Sequence, residues 1–63
     1  MLFQVGDRVQ VTEIEFETEQ VYLDRQGVIT EIEEGIEGDD PLFIVTFGDT
    51  LIYPFFESQL SKA

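Results

Sequence analysis

The feature that most limits how this chain folds is the spacing of its glycines and prolines. Gly6-Asp7, Gly27, Gly35 to Pro41, Gly48-Asp49 and Pro54 cut it into short pieces. No helical period of 3.6 residues survives in any of them for more than about two turns. The pieces have β character instead. Residues 7–11 alternate, with Val9 and Val11 on one face and Arg8 and Gln10 on the other. Ile14 and Phe16 have the opposite parity, which predicts a bulge or a strand end near Thr12-Glu13. Residues 15–26 read as a long polar excursion whose Val21, Tyr22 and Leu23 fold back onto the body of the domain. The second strand, 27–34, opens with a glycine free to take a bend that other residues refuse. A loop over 35–41, a third strand over 42–47, a tight turn over 48–50 and a fourth strand over 51–56 follow. Pro54 confines that last strand to an edge or a bulge. Residues 57–60 have room for one 3₁₀ turn, with Leu60 placed to plug an open end. Short strands separated by turn signals predict an all-β fold: a small barrel of about five antiparallel strands.

With 63 residues, the expectation is one domain over 1–63 with a single small core. The chain has no cysteine and no histidine. Disulfides and the usual zinc arrangements are therefore excluded, and stability must come from packing or from association with another chain. Fourteen acids against three bases give a net charge of −11 and a pI near 4.1. Such a polyanion repels phosphate, so direct binding to nucleic acid or to an anionic membrane is disfavoured. Charge of this size often accompanies disorder, but 43% apolar residues, with six Phe and two Tyr, predict a folded chain. Residues 1–8 contain neither a basic region nor an apolar stretch of signal-peptide or membrane length. That leads to the expectation of a cytoplasmic protein without an anchor.

The succession of Val5-Gly6-Asp7-Arg8-Val9-Gln10-Val11, a long loop, Gly27-Val28-Ile29-Thr30-Glu31-Ile32, a polar hairpin loop, the run from Phe43 to Phe56, and Glu57-Ser58-Gln59-Leu60 resembles the SH3-like barrel of the KOW type. In layout it is similar to two other small barrels, the variable chain of ferredoxin–thioredoxin reductase and the small-barrel component of photosystem I. The likeness spans roughly residues 5 to 60 and rests on glycine placement and apolar spacing. It implies an SH3-like fold. For function it implies either contact with RNA or polymerase, or service as an accessory subunit docked on a larger assembly. KOW-type nucleic-acid binders are usually basic, whereas here only Arg8, Arg25 and Lys62 are available. The docking role is therefore the better match.

Without histidine or cysteine the commonest general base and the thiol nucleophile are both missing, and Ser58 and Ser61 have only Lys62 near them. No enzymatic activity and no cofactor are expected. Glu33, Glu34, Glu37, Asp39 and Asp40 offer hard oxygens to calcium or magnesium, but the calcium-loop pattern is absent and the segment reads as a solvated turn. Glu13, Glu15, Glu17 and Glu19 stand at i, i+2 spacing. In an extended chain they form one acidic face with carboxylates about 6.6 Å apart, a spacing suited to mimicry of nucleic-acid phosphates. Residues 42–47 and 51–56 are apolar on both parities, more than one face of a small barrel can bury. Ile44, Ile52, Tyr53 and Phe56 are the candidates for an outward patch that loops or a protein partner would cover. The leading expectation is a protein-interaction module facing another protein, basic in character or a second copy of this chain. An acidic inhibitor that occupies a basic groove, and a divergent KOW-like nucleic-acid-associated domain, are the alternatives.

Overall fold

The computed structural model describes residues 3–35, 38–48 and 51–63, and shows five antiparallel strands in one sheet. They are β1 (Arg8–Val11), β2 (Gln26–Glu33), β3 (Leu42–Phe47), β4 (Leu51–Phe56) and β5 (Leu60–Lys62). The order across the sheet is β4-β3-β2-β1-β5. Among the described residues β4 and β5 do not pair, so the hydrogen-bonded ladder is open where a closed barrel was expected. The all-β class, the antiparallel pairing and a 3₁₀ turn before the C-terminal strand agree with the expectation, and the layout is compatible with an SH3-like fold. The fifth strand had no signal of its own, because three residues are too few to show a period.

β1 ends at Val11, so the change of parity after it is a strand end and not a bulge. A bulge does occur in β2, where the register against β3 shifts between Ile29 and Glu31. Before the bulge Ile29 lies opposite Val45, and after it Ile32 lies opposite Phe43, so isoleucines of unlike parity both meet core residues of β3. The odd residues of β3 turn inward: Phe43, Val45 and Phe47 are buried with Val9, Val11, Ile29, Phe55 and Leu60. The expectation that Leu60 closes the core is met. Gly27 is buried as well, but not for the sake of a bend. A Cβ at this position would lie 2.6 Å from Val45 Cγ1 and 2.8 Å from the Thr46 carbonyl oxygen. The missing side chain is the space that β3 occupies as it crosses β2. Gly48 takes φ +61° after β3, a conformation that favours glycine.

The excursion between β1 and β2 is closed at its base by Asp24 N donating to Val11 O (2.8 Å) and Val11 N donating to Arg25 O (3.0 Å). Within it, Glu17–Tyr22 forms a 3₁₀ turn. Tyr22 alone of the expected trio folds in; Val21 is 68% exposed and Leu23 37%. The Tyr22 ring sits 5.0 Å from Phe47, 4.9 Å from Tyr53 and 5.8 Å from Phe55, and so joins the excursion to β3 and β4. Together these four rings form the aromatic end of the core.

Candidate functional site: an acid-rimmed apolar face and groove

The acidic stretch 13–19 does not form one face. The 3₁₀ turn interrupts it at Glu17, and Glu19 is buried at 4% exposure while Glu13, Glu15 and Glu17 stay exposed. The Glu19 carboxylate accepts from the backbone amides of Glu15 (2.9 Å) and Phe16 (3.4 Å), and from Gln59 Nε2 (3.0 Å). Burial pushes this carboxyl up, but those donors and the Tyr53 hydroxyl outweigh it and hold the group below the ordinary glutamate value. The even spacing that suggested phosphate mimicry therefore has no counterpart in the fold. What the spacing concealed is an internal brace.

The partner in that brace, Gln59, is itself buried. Its Oε1 accepts from Phe56 N (3.0 Å), its Nε2 also donates to Glu13 O (3.3 Å), and its backbone oxygen accepts from Thr12 N (2.8 Å). Glu57–Gln59 is the second 3₁₀ turn. Phe16-Glu17-Thr18-Glu19 and Phe56-Glu57-Ser58-Gln59 are thus a matched pair of turn starts. In each, the third residue of the turn reaches back to the backbone amide of the phenylalanine before it, the reciprocal half of a capping box. The two side chains then bond to one another. Sequence reading missed this pair; the repeated Phe-Glu-hydroxyl-Glu/Gln pattern was the available signal.

The four candidates for an outward patch separate by parity. Tyr53 is on the core side, half-buried against Tyr22 and 5.2 Å from the Phe55 ring, so it packs on the core and does not share the outward face. Ile44, Ile52 and Phe56 share the other face. Leu42 lies opposite Phe56, Ile44 opposite Pro54, and Thr46 opposite Ile52, so the outer side of β3 and β4 carries five apolar residues in adjoining rows. Ile52 is 59% exposed, Pro54 is exposed, and Leu42, Ile44 and Phe56 are half-buried. On the β2 side this face ends at Glu31 and Glu33, opposite Ile44 and Leu42. Sequence reading did not include Leu42 or Pro54 in it.

Two concavities adjoin this face at its Phe56 end. One, of about 420 Å³, is lined by Glu33 at the end of β2, by Glu34, Asp39 and Asp40 of the β2–β3 connection, and by Leu42 and Phe56. The other, of about 380 Å³, is lined by Glu13, Ile14 and Glu15 of the excursion, by Asp40, and by Phe56 and Ser58. Asp40 and Phe56 belong to both. A third concavity of about 380 Å³ lies on the outer face of β1, β2 and β3 beside Arg8, Thr30 and Thr46. The Thr30 and Thr46 hydroxyls are hydrogen-bonded to each other at 3.0 Å. Among the described residues no group of three carboxylates converges as a metal site would require, and Glu37 of the proposed cation loop lies outside them. Lys62 Nζ stands 3.6 Å from Asp7 Oδ2. No helix of the described residues is long and apolar enough to cross a membrane. Compared with known proteins, the chain matches no family model, no curated protein and no solved structure.

Proposed function

We propose that this protein is a non-enzymatic docking module, an SH3-like accessory domain of the cytosol that attaches to a larger protein through the outer face of β3 and β4. The observation that carries this reading is the set of rows Leu42/Phe56, Ile44/Pro54 and Thr46/Ile52, where Ile52 and Pro54 stand open to solvent and Leu42, Ile44 and Phe56 are half-buried, on a sheet whose other face already has a full core. A contiguous exposed apolar patch with a polar rim is the usual mark of a protein interface. The KOW-type resemblance supports an accessory role of this kind. The scarcity of cations, with Lys62 beside Asp7, favours a protein partner over nucleic acid. Carboxylates at the rim speed encounter with a basic partner, while the apolar rows set its residence time.

The test is capture from the source cell at about 0.1 M and about 0.5 M salt, with wild type and Ile52→Glu compared. A partner retained at both salt concentrations and lost at least tenfold on I52E, in a variant with unchanged circular dichroism, is the expected outcome. Sedimentation of both proteins identifies a second copy of the chain if that is the occupant. A partner that binds I52E as well as wild type would remove this face from the interface.

A further inference from the structure

The two acid-lined concavities that share Phe56 and Asp40 specify the chemistry of the partner. They are walled by different parts of the chain: one by the β2–β3 connection, the other by the excursion after β1. Each combines carboxylates with an apolar surface, Leu42 and Phe56 in the first, Ile14 and Phe56 in the second. No lysine or arginine lines either. Among the described residues the ion pair is Lys62 with Asp7, so these carboxylates have no cationic side chain opposite them. An occupant must neutralise them and also cover Phe56. A bare cation does only the first, and the carboxylates do not converge on a metal position. A second copy of a chain with net charge −11 brings more repulsion, and a nucleic acid brings more still.

We infer that the groove running across Phe56 binds a basic protein segment whose apolar side chains cover Phe56, Leu42 and Ile14 while lysines or arginines on both flanks enter the two carboxylate-lined concavities. This rests on the docking reading above and adds the charge pattern and location of the segment. The long cationic side chains suit the sites because their methylene stems pack on apolar surface while their charged ends reach the acids. Opposite charge lining a concave surface gives orientation and rapid encounter.

The test is a titration of ¹⁵N-labelled full-length protein, followed by amide shifts at about 0.15 M salt. The probe is acetyl-Lys-Lys-Ala-Leu-Phe-Ala-Lys-Lys-amide; its controls are the same peptide with Ala-Ala for Leu-Phe, and spermine. Saturable shifts confined to residues 13–15, 33–35, 38–42 and 56–59 are expected. Asp40→Lys should weaken binding at least tenfold, and so should the Ala-Ala peptide. Glu17→Lys makes a comparable charge change at an exposed residue that lines neither concavity and lies off the β3–β4 face, and should alter affinity less than twofold. Amide dispersion shows whether each variant remains folded. Shifts spread over all the carboxylates, equal losses for D40K and E17K, equal binding of spermine, or no saturable binding would each overturn the inference. A partner held through Ile52 at high salt, together with a silent groove, would overturn this inference and leave the docking reading standing.

Discussion

Glu19 shows how a single carboxylate in an acidic chain acquires a role its neighbours lack. Glu13, Glu15 and Glu17 are exposed, whereas Glu19 gathers two backbone amides, the Gln59 amide and the Tyr53 hydroxyl around one buried group. Its folded-state pKa lies below its ordinary value of about 4.5. The stability it contributes is therefore fully present above that value and is lost as the pH falls through the depressed one. Glu19→Gln can keep an oxygen towards the three N–H donors, which all point to Oε1, but it loses the charge that strengthens those bonds and should cost about 1–3 kcal/mol at pH 7. The gap between wild type and E19Q, read from urea unfolding at successive pH values, should be widest near neutrality and close in acid as wild-type Glu19 protonates. A gap independent of pH would mean that the carboxylate charge is not what the brace uses. The repeated Phe-Glu-hydroxyl-Glu/Gln pattern marks Glu19 and Gln59 as turn residues but not that they meet, because the two are distant in sequence. The alternation from Glu13 to Glu19 invited the opposite reading.

At the level of elements, β4 is an edge strand and Pro54 sits in its middle. The Ile44 carbonyl is turned towards β2, where Thr30 Oγ1 approaches it at 3.5 Å. The Ile44–Pro54 pair is therefore non-hydrogen-bonded, and the amide that proline lacks would have pointed out of the sheet. Proline thus leaves the β3–β4 ladder intact and removes a donor from the free edge, which hinders strand-to-strand association with another chain. Pro54→Val should fold with its ladder unchanged but self-associate several-fold more strongly, as judged by sedimentation or light scattering across concentrations. Equal association of the two proteins would show that the edge is blunted by something else. That Pro54 marks an edge or a bulge was legible from its chemistry alone, as were the limits of β3 and β4, because apolar runs bounded by turn residues leave little freedom; the sheet order decides for the edge. The inward parity was not legible: both parities of 42–47 are greasy, and a period of two cannot rank them. The choice is made by the β2 register, including its bulge, and by Tyr22 arriving over Tyr53, Phe47 and Phe55.

For the whole molecule the dominant physical fact is 14 acids against 3 bases on a small surface. Screening should relieve their mutual repulsion more in the folded state, where the charges are closest together. Raising salt from about 10 mM to about 0.5 M should therefore stabilise the domain by on the order of 1 kcal/mol, or about 4–8 °C in the melting midpoint followed by circular dichroism. A midpoint that stays level or falls would show that repulsion is a minor term here. The same charge restricts what the apolar face and groove can meet, since an anionic partner is repelled before contact. Local chemistry alone determined the all-β class, the strand limits near glycine and proline, the restriction of β4 to an edge or a bulge, and an apolar excess that one core cannot absorb. These follow from short-range sterics and composition, which each segment carries with it. Tertiary structure alone decided which parity is buried, that Tyr53 packs on the core side, that Glu19 braces the fold, and that Phe56 links an apolar face to two acid-lined concavities. Each of these depends on groups far apart in the chain meeting in space, and the pairing energy that selects among such meetings is invisible until the strands are in register.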